Sequence, residues 1–341
     1  MNDTHAARSR RQIALWLLAV CALIFAMVVV GGVTRLTRSG LSIVEWKPVT
    51  GIVPPLTEQA WQEAFDKYRQ FPEYQKINRG MSLDEFKSIY WWEFIHRILG
   101  RLIGLAFLLP YLYFLWRGAI RGSLAVKTGV MFLLGGMQGV LGWYMVKSGL
   151  VDRPHVSPYR LTAHLIFAFA IYGYILWVAL DLLGVARRRV GAGLRWASRG
   201  VLALVVVMVI TGGFVAGTKA GFAFNSFPLM NGHWLPPGYL ALSPLWVNFT
   251  ENIATVQFDH RWLAILTGLA VTLLWWRALG AGLDRGTRLR FHALAALVWV
   301  QVGLGIATLL AVVPVPLGAA HQGGALVVFT AALWLNHRLR A

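Results

Sequence analysis

Four of the nine histidines, His96, His164, His260 and His321, fall inside long apolar stretches of the chain. An ionisable side chain within a membrane is costly and normally faces a bundle interior or a cavity. One imidazole offers iron one lone pair, so a six-coordinate haem needs two imidazoles, one from each face. Two helices that each carry a histidine at equal depth meet that requirement. The competing reading makes each histidine a polar residue bonded across a helix interface. A single histidine fits that reading better, whereas four at related positions fit haem ligation better. Of the rest, His5 and His337 are terminal, His155 and His233 lie in loops, and His292 stands at a helix end.

The neighbours of these histidines add chemistry. Arg97 and Arg261 directly follow His96 and His260. A guanidinium can fork onto a carboxylate such as a haem propionate, or its long stem can carry the charge to the membrane surface. Both readings stand. Glu93 precedes His96 by three residues, on nearly the same helix face, and the corresponding residue before His260 is Gln257. A carboxylate can exchange a proton near neutral pH and an amide cannot. That difference suggests oxidation at the first pair and a passive cofactor at the second; simple pairing of Glu93 with Arg97 is the alternative. Gln138 and Gln301 read as interhelical hydrogen bonders rather than ligands. The pairs Gly135-Gly136 and Gly323-Gly324 suit close helix approach or room for a flat macrocycle.

Apolar runs must position all of these. The chain is 57% hydrophobic and 13% charged, with a mean hydropathy of +0.58; a soluble protein carries roughly twice that charge. Runs of about 20 apolar residues can cross a bilayer, and in lipid they must be helical to satisfy their own backbone. The expected spans are 13–33, 90–116, 125–146, 160–184, 198–217, 254–277, 290–312 and 317–336. The net charge of +18 does not point to nucleic acid, because the Lys and Arg residues cluster between spans on alternate sides, as the positive-inside rule expects. That rule puts both termini in the cytoplasm and the histidines toward the periplasmic side. Cys21 is the single cysteine, which leaves neither an internal disulfide nor a thiolate metal site. The stretch MNDTHAARSRRQ is too short for a cleaved organelle-targeting peptide, and no small-residue cleavage site follows the first run. The run therefore reads as a retained helix, in a bacterial inner membrane.

Two long loops, 34–89 and 218–253, share the outer side. Within the first, 57–71 reads as an amphipathic helix with Trp61, Phe65 and Tyr68 on one face. It could lie on the membrane or lid a cavity, or pack on neighbouring loops. An internal repeat orders the rest: Gly31-Gly32 with Gly212-Gly213, Glu93/His96/Arg97 with Gln257/His260/Arg261, Gln138/Gly142 with Gln301/Gly305, and His164 with His321. The expected fold is an all-α integral membrane protein of eight transmembrane helices. They form two pseudo-twofold-related four-helix bundles, 1–189 and 190–341, about an axis along the membrane normal.

Three further motifs, GGVTRLTRSGLSIVEWKPVTG, WWEFIHRILGR and FNSFPLMNGHW, complete a pattern that runs along nearly the whole chain. Together with the paired HR motifs, they make the chain resemble the haem A synthase family, in its proteobacterial and mitochondrial branch. That resemblance implies a membrane oxidoreductase that converts a ring methyl of haem O to a formyl group by successive hydroxylation. It implies that His260 and His321 hold a low-spin haem b, that His96 and His164 bracket the substrate haem, and that Glu93 assists its oxidation. Haem O synthase and cytochrome oxidase assembly factors become candidate partners. Some family members carry cysteine pairs in the outer loops; this chain has none, so a mechanism that needs a loop thiol is excluded. Two other classes account for part of the pattern. A non-catalytic b-type cytochrome fed by quinol leaves the Glu93/Gln257 difference unexplained, and a repeat-built transporter would break its helices near mid-membrane.

Overall fold

The computed structural model describes residues 3–47, 50–151 and 154–340; Pro48 and Val49 of the first loop motif lie outside them. Among the described residues there is no strand, and eight helices are long and apolar enough to cross a membrane. In chain order the helices are α1 (Asp3–Leu36), α2 (Glu58–Arg69), α3 (Pro72–Lys76), α4 (Leu83–Trp116), α5 (Gly122–Lys147), α6 (Pro158–Leu182), α7 (Ala192–Thr218), α8 (Ile253–Leu279), α9 (Arg285–Leu310) and α10 (Val315–Leu339).

The long helices pack as two rings. In the first, α1 packs on α4, α4 on α5, α5 on α6 and α6 back on α1; α7, α8, α9 and α10 repeat the same circuit. The histidine-bearing helices, α4 with α6 and α8 with α10, therefore face each other across their rings. The rings join along a seam of α1, α6, α7 and α10. That seam holds most of the buried apolar core, including Leu17, Ile175, Leu326 and Leu335. Outward faces stay apolar and exposed, as Leu109 of α4, Leu133 of α5 and Val300 of α9 illustrate. Such a surface suits lipid and not water.

At the end away from the histidines, the seam is closed by polar groups. His337 Nε2 lies 3.1 Å from Asp181 Oδ1, Arg340 pairs with the same carboxylate, and the Arg188 amide donates to the Arg338 carbonyl at 2.7 Å. His337 is thus a buried bridge between the rings rather than a loose terminal residue.

The amphipathic segment of the first loop is α2, capped by Thr57, whose hydroxyl accepts from the Ala60 amide at 3.1 Å. Its apolar face does not lie on lipid. Phe65 and Tyr68 are buried against Phe86, Ile89 and Tyr90 at the outer end of α4, with the Phe65 and Phe86 rings stacked at 4.9 Å. That partner surface exists because α4 begins at Leu83, a full two turns before its apolar run. Ser82 starts it with a reciprocal cap: its hydroxyl accepts from the Glu85 amide, and its own amide donates to Glu85 Oε2 at 2.7 Å.

Candidate functional site

Each of the four in-membrane histidines meets a glycine of the preceding helix in its ring. A Cβ placed on Gly31 of α1 would stand 3.3 Å from His96 Nε2, and one on Gly212 of α7 would stand 3.3 Å from His260 Cε1. On the other side of the rings, a Cβ on Gly142 of α5 would stand 3.0 Å from His164 Cε1. One on Gly305 of α9 would stand 2.8 Å from His321 Cε1. The Gly305 distance is one that real Cβ atoms essentially never show, and the other three are tighter than most, so each imidazole fills space that a larger residue would contest. The second glycine of each Gly-Gly pair serves the seam instead: Gly32 abuts Gln322 of α10, and Gly213 abuts Thr162 of α6.

The glutamines are hydrogen bonders, as their type suggested. Gln138 Nε2 donates to the His164 carbonyl at 3.0 Å, and Gln301 Nε2 to the His321 carbonyl at 2.8 Å. Each amide also lies beside the imidazole of the same histidine, at 3.4 Å from His164 Nε2 and 3.1 Å from His321 Nδ1. Gly324 is pressed against Gln301, so that glycine keeps the glutamine in place. Gly135 and Gly136 meet nothing within 4 Å and open onto free space.

The four histidines fall into two pairs. His164 is within electrostatic reach of His96, and His321 of His260. Both pairs lie toward the end of the bundle that carries the long loops, His164, His260 and His321 within about two turns of the start of their helices. Among the described residues, no three His, Cys, Asp or Glu side chains converge as a metal site. Two imidazoles per ring fit a metal that brings four ligands of its own, which is what a porphyrin iron does. The His164 Nδ1 atom is buried without a hydrogen-bond partner, and a nitrogen in that state fits a haem better than it fits a packed core.

At the loop end of each ring, the residues that precede and follow His96 and His260 tie the helix to its long loop. Arg97 donates to the Ile43 and Glu45 carbonyls at 2.6 and 2.9 Å and forks onto Glu93 Oε1. Arg261 donates to the Phe224 and Ser226 carbonyls and to Gln257 Oε1 at 2.9 Å. Both guanidinium groups are thus engaged with loop backbone, and Arg261 keeps a buried Nε without a partner.

Glu93 is buried, and both its oxygens are used. Oε1 receives Arg97, and Oε2 receives the Ser42 hydroxyl and the Ile43 amide, both at 2.8 Å. Gln257 is equally buried, and its amide donates to the Ala220 carbonyl at 2.7 Å. The first loop presents donors to its helix and the second presents an acceptor. Loop polarity is therefore a second reason for a carboxylate in one ring and an amide in the other. Sequence comparison of the halves cannot show it, because the partners are main-chain groups.

A further functional contact escaped the sequence. The Thr211 hydroxyl lies 2.8 Å from His260 Nδ1 and 3.1 Å from the Met208 carbonyl. Its repeat position is Val30, so alignment of the two Gly-Gly motifs held the signal.

Comparisons with known proteins give one answer. Residues 14–333 match the family model described as cytochrome oxidase assembly protein. A protein of Nitrosospira multiformis named heme A synthase is 56% identical over 338 residues, 97% of this chain and 94% of the relative. One from Parvibaculum lavamentivorans with the same name is 54% identical over 329 residues, 96% and 94% of the two chains. Heme A synthase COX15 of Arabidopsis thaliana is 45% identical over 350 residues, covering 99% of this chain and 76% of its own.

Proposed function

This chain belongs to the cytochrome oxidase assembly protein family, and from that membership we propose how its two rings divide one reaction. The protein is an enzyme that oxidises haem O to haem A. The first half, 1–189, takes haem O as substrate, with His96 and His164 bracketing its iron. The second half, 190–341, uses His260 and His321 to hold a haem b, which supplies reversible one-electron transfer.

The observation that carries this reading is the fourfold packing of glycine against imidazole, in two repeat-related pairs. Four helix faces give up their side chains so that four rings can be held in fixed positions. In this reading the macrocycle of each ring lies between the two imidazoles of its pair.

Glu93 acts in the first site as a positioning residue. It ties Ser42, Ile43 and Arg97 to the helix face next to His96, and so sets the wall beside the reacting ring. Propionate contact by Arg97 or Arg261 would have to come from guanidinium groups that already hold the loops. The chain sits in a bacterial inner membrane with both termini cytoplasmic and both sites near the periplasmic boundary, supported by the charge clusters between spans. Haem O synthase and oxidase assembly factors are its proposed neighbours.

The test is co-expression with a haem O synthase, followed by extraction and chromatography of the haems. Haem A, or its hydroxylated precursor, should accumulate. A folded chain with bound haem b and no oxidised product would sink the reading. The division of labour is tested separately: His260→Ala should lose the haem b spectrum, and His96→Ala should keep it while losing product.

A further inference from the structure

Each first helix ends on a cation in the left-handed conformation. Arg38, just past α1, has φ of +54°, and Lys219, just past α7, has φ of +59°. They are repeat partners, each seven residues beyond the glycine that abuts a histidine, Gly31 or Gly212. Glycine is the usual residue at such a helix end, and a side chain there costs roughly 1–2 kcal/mol. The helix dipole favours a cation by about 0.3–1 kcal/mol, but a cation in the last turn would gain as much without strain. Two repeat-related helix ends that keep Arg and Lys against this cost point to a use for the side chains.

Arg35 joins them. It stands one helical turn beyond Gly31 on the same face of α1, partly buried, whereas its repeat partner is Ala216. Arg35 and Arg38 both act electrostatically on Lys219, so the three charges crowd together although they come from different rings. The carboxyl that reaches this group is Glu73 of α3, which already receives the Tyr68 hydroxyl at 3.1 Å. Among the described residues, no side-chain hydrogen bond or close ion pair holds Arg35, Arg38 or Lys219. Three clustered cations with one shared carboxyl leave a charge deficit that a bound dianion would fill.

We propose that Arg35, Arg38 and Lys219 form a dicarboxylate-binding subsite at the outer seam, which receives the propionates of the haem held by His96 and His164. The proposal rests on the reading of the first ring as the substrate site. Two of the three cations ride on α1, the helix whose Gly31 touches His96, so a macrocycle beside that histidine with its propionates outward meets them first. Lys219 reaches in from the second ring and makes the subsite a joint property of both halves. Arg97, by contrast, is committed to loop carbonyls and to Glu93.

The experiment titrates the haem-stripped full chain in detergent, with His260→Ala throughout so that only the first ring can bind, using ferric protohaem and, separately, its dimethyl ester, which lacks both carboxylates. With Arg35, Arg38 and Lys219 intact, this protein should bind the free acid at least about tenfold more tightly, as expected of charge-assisted contacts. Arg38→Gly should bring the two ligands within about threefold, and Arg35→Gln and Lys219→Gly should narrow the gap in the same way. Glycine relieves the strain at 38 and 219, so both variants should melt no lower than wild type, which separates lost recognition from misfolding. If the preference survives in all three variants, or vanishes instead in Arg97→Gln, the subsite is wrong and the haem reading stands. If the His260→Ala protein binds neither ligand, or if adding His96→Ala leaves both affinities unchanged, the reading of the first ring fails with it.

Discussion

Thr211 Oγ1 lies 2.8 Å from Nδ1 of His260 and 3.1 Å from the Met208 carbonyl, which can only accept. Both contacts are satisfied together in the tautomer with the proton on Nδ1, which leaves the Nε2 lone pair for a metal. A ring that donates in this way is a better electron donor to its metal, and His96 has only Val30 in the corresponding place.

Thr211→Val should therefore raise the midpoint potential of the haem bound in the second ring, because the oxidised iron loses more stabilisation than the reduced. One hydrogen bond of about 1 kcal/mol corresponds to roughly a fivefold change in the ferric-to-ferrous equilibrium. Spectroelectrochemical titration reads this directly, and Thr211→Ser should restore the wild-type value. A Thr211→Val protein with unchanged potential and unchanged spectrum would show that the contact only fills space.

The glycines that face the histidines give a steric prediction with an internal control. Alanine at 305 would put a methyl 2.8 Å from His321 Cε1, and alanine at 142 would put one 3.0 Å from His164. At 305 the ring or its helix must shift, and at 142 the ring must give by a few tenths of an ångström, so the geometry of each pair is disturbed. Gly305→Ala should abolish the low-spin haem spectrum while the protein still folds, since alanine favours a helix interior by about 1 kcal/mol over glycine. Gly135→Ala, with nothing within 4 Å, should bind haem as wild type does. Equal spectra for Gly305→Ala and Gly135→Ala would remove the packing argument for both sites.

The parts of this molecule that were legible in the sequence are those governed by composition and spacing along one helix. The eight spans, the alternation of charge clusters, the histidine positions and the repeat all belong to that class. Helix ends were less legible where polar residues continue a helix beyond the membrane. Residues 83–89 are helical because Ser82 caps them and α2 packs on Phe86 and Tyr90, neither of which hydropathy registers. Contacts between helices were out of reach. Gly31 and Gly142 could be noted as repeated, but their service to His96 and His164 depends on which helices become neighbours. The carboxylate at 93 read either as chemistry or as a partner of Arg97; the pairing is present, but the donors of Ser42 and Ile43 were not legible.

Glu73 makes the loop region around α2 and α3 sensitive to pH. Burial, with a smaller contribution from the Glu93 charge, pushes its carboxyl from the ordinary 4.5 up to about 7. Between those values the folded chain keeps a proton that the unfolded chain has released, so stability falls as pH rises through that window. The full effect is at most about 3 kcal/mol. Thermal melts in detergent should give a lower midpoint at pH 8 than at pH 5. Glu73→Gln, which can still accept from Tyr68, should flatten the difference. If the variant keeps the wild-type slope, another group is responsible.

Replacement of Glu93 separates position from charge. Glu93→Gln keeps one oxygen for Arg97 but turns an amide donor toward the Ile43 amide, which then has no acceptor; the penalty is about 1–3 kcal/mol. Because Gln257 shows that an amide is tolerated at this depth when the loop offers a carbonyl, the variant should fold with a somewhat lower melting midpoint. It should keep the haem b spectrum of the second ring, since no residue around His260 or His321 touches Glu93. Haem A formation should fall by tenfold or more, because the loop at Ser42 and Ile43 no longer holds its place beside His96. Glu93→Asp retains the acceptor but shortens its reach, and should recover part of the loss. To tell a displaced wall from a general weakening, haem O affinity is measured alongside turnover in both variants. A positioning role predicts that turnover drops more than affinity, whereas equal loss of haem from both rings would mean that Glu93 serves only the fold.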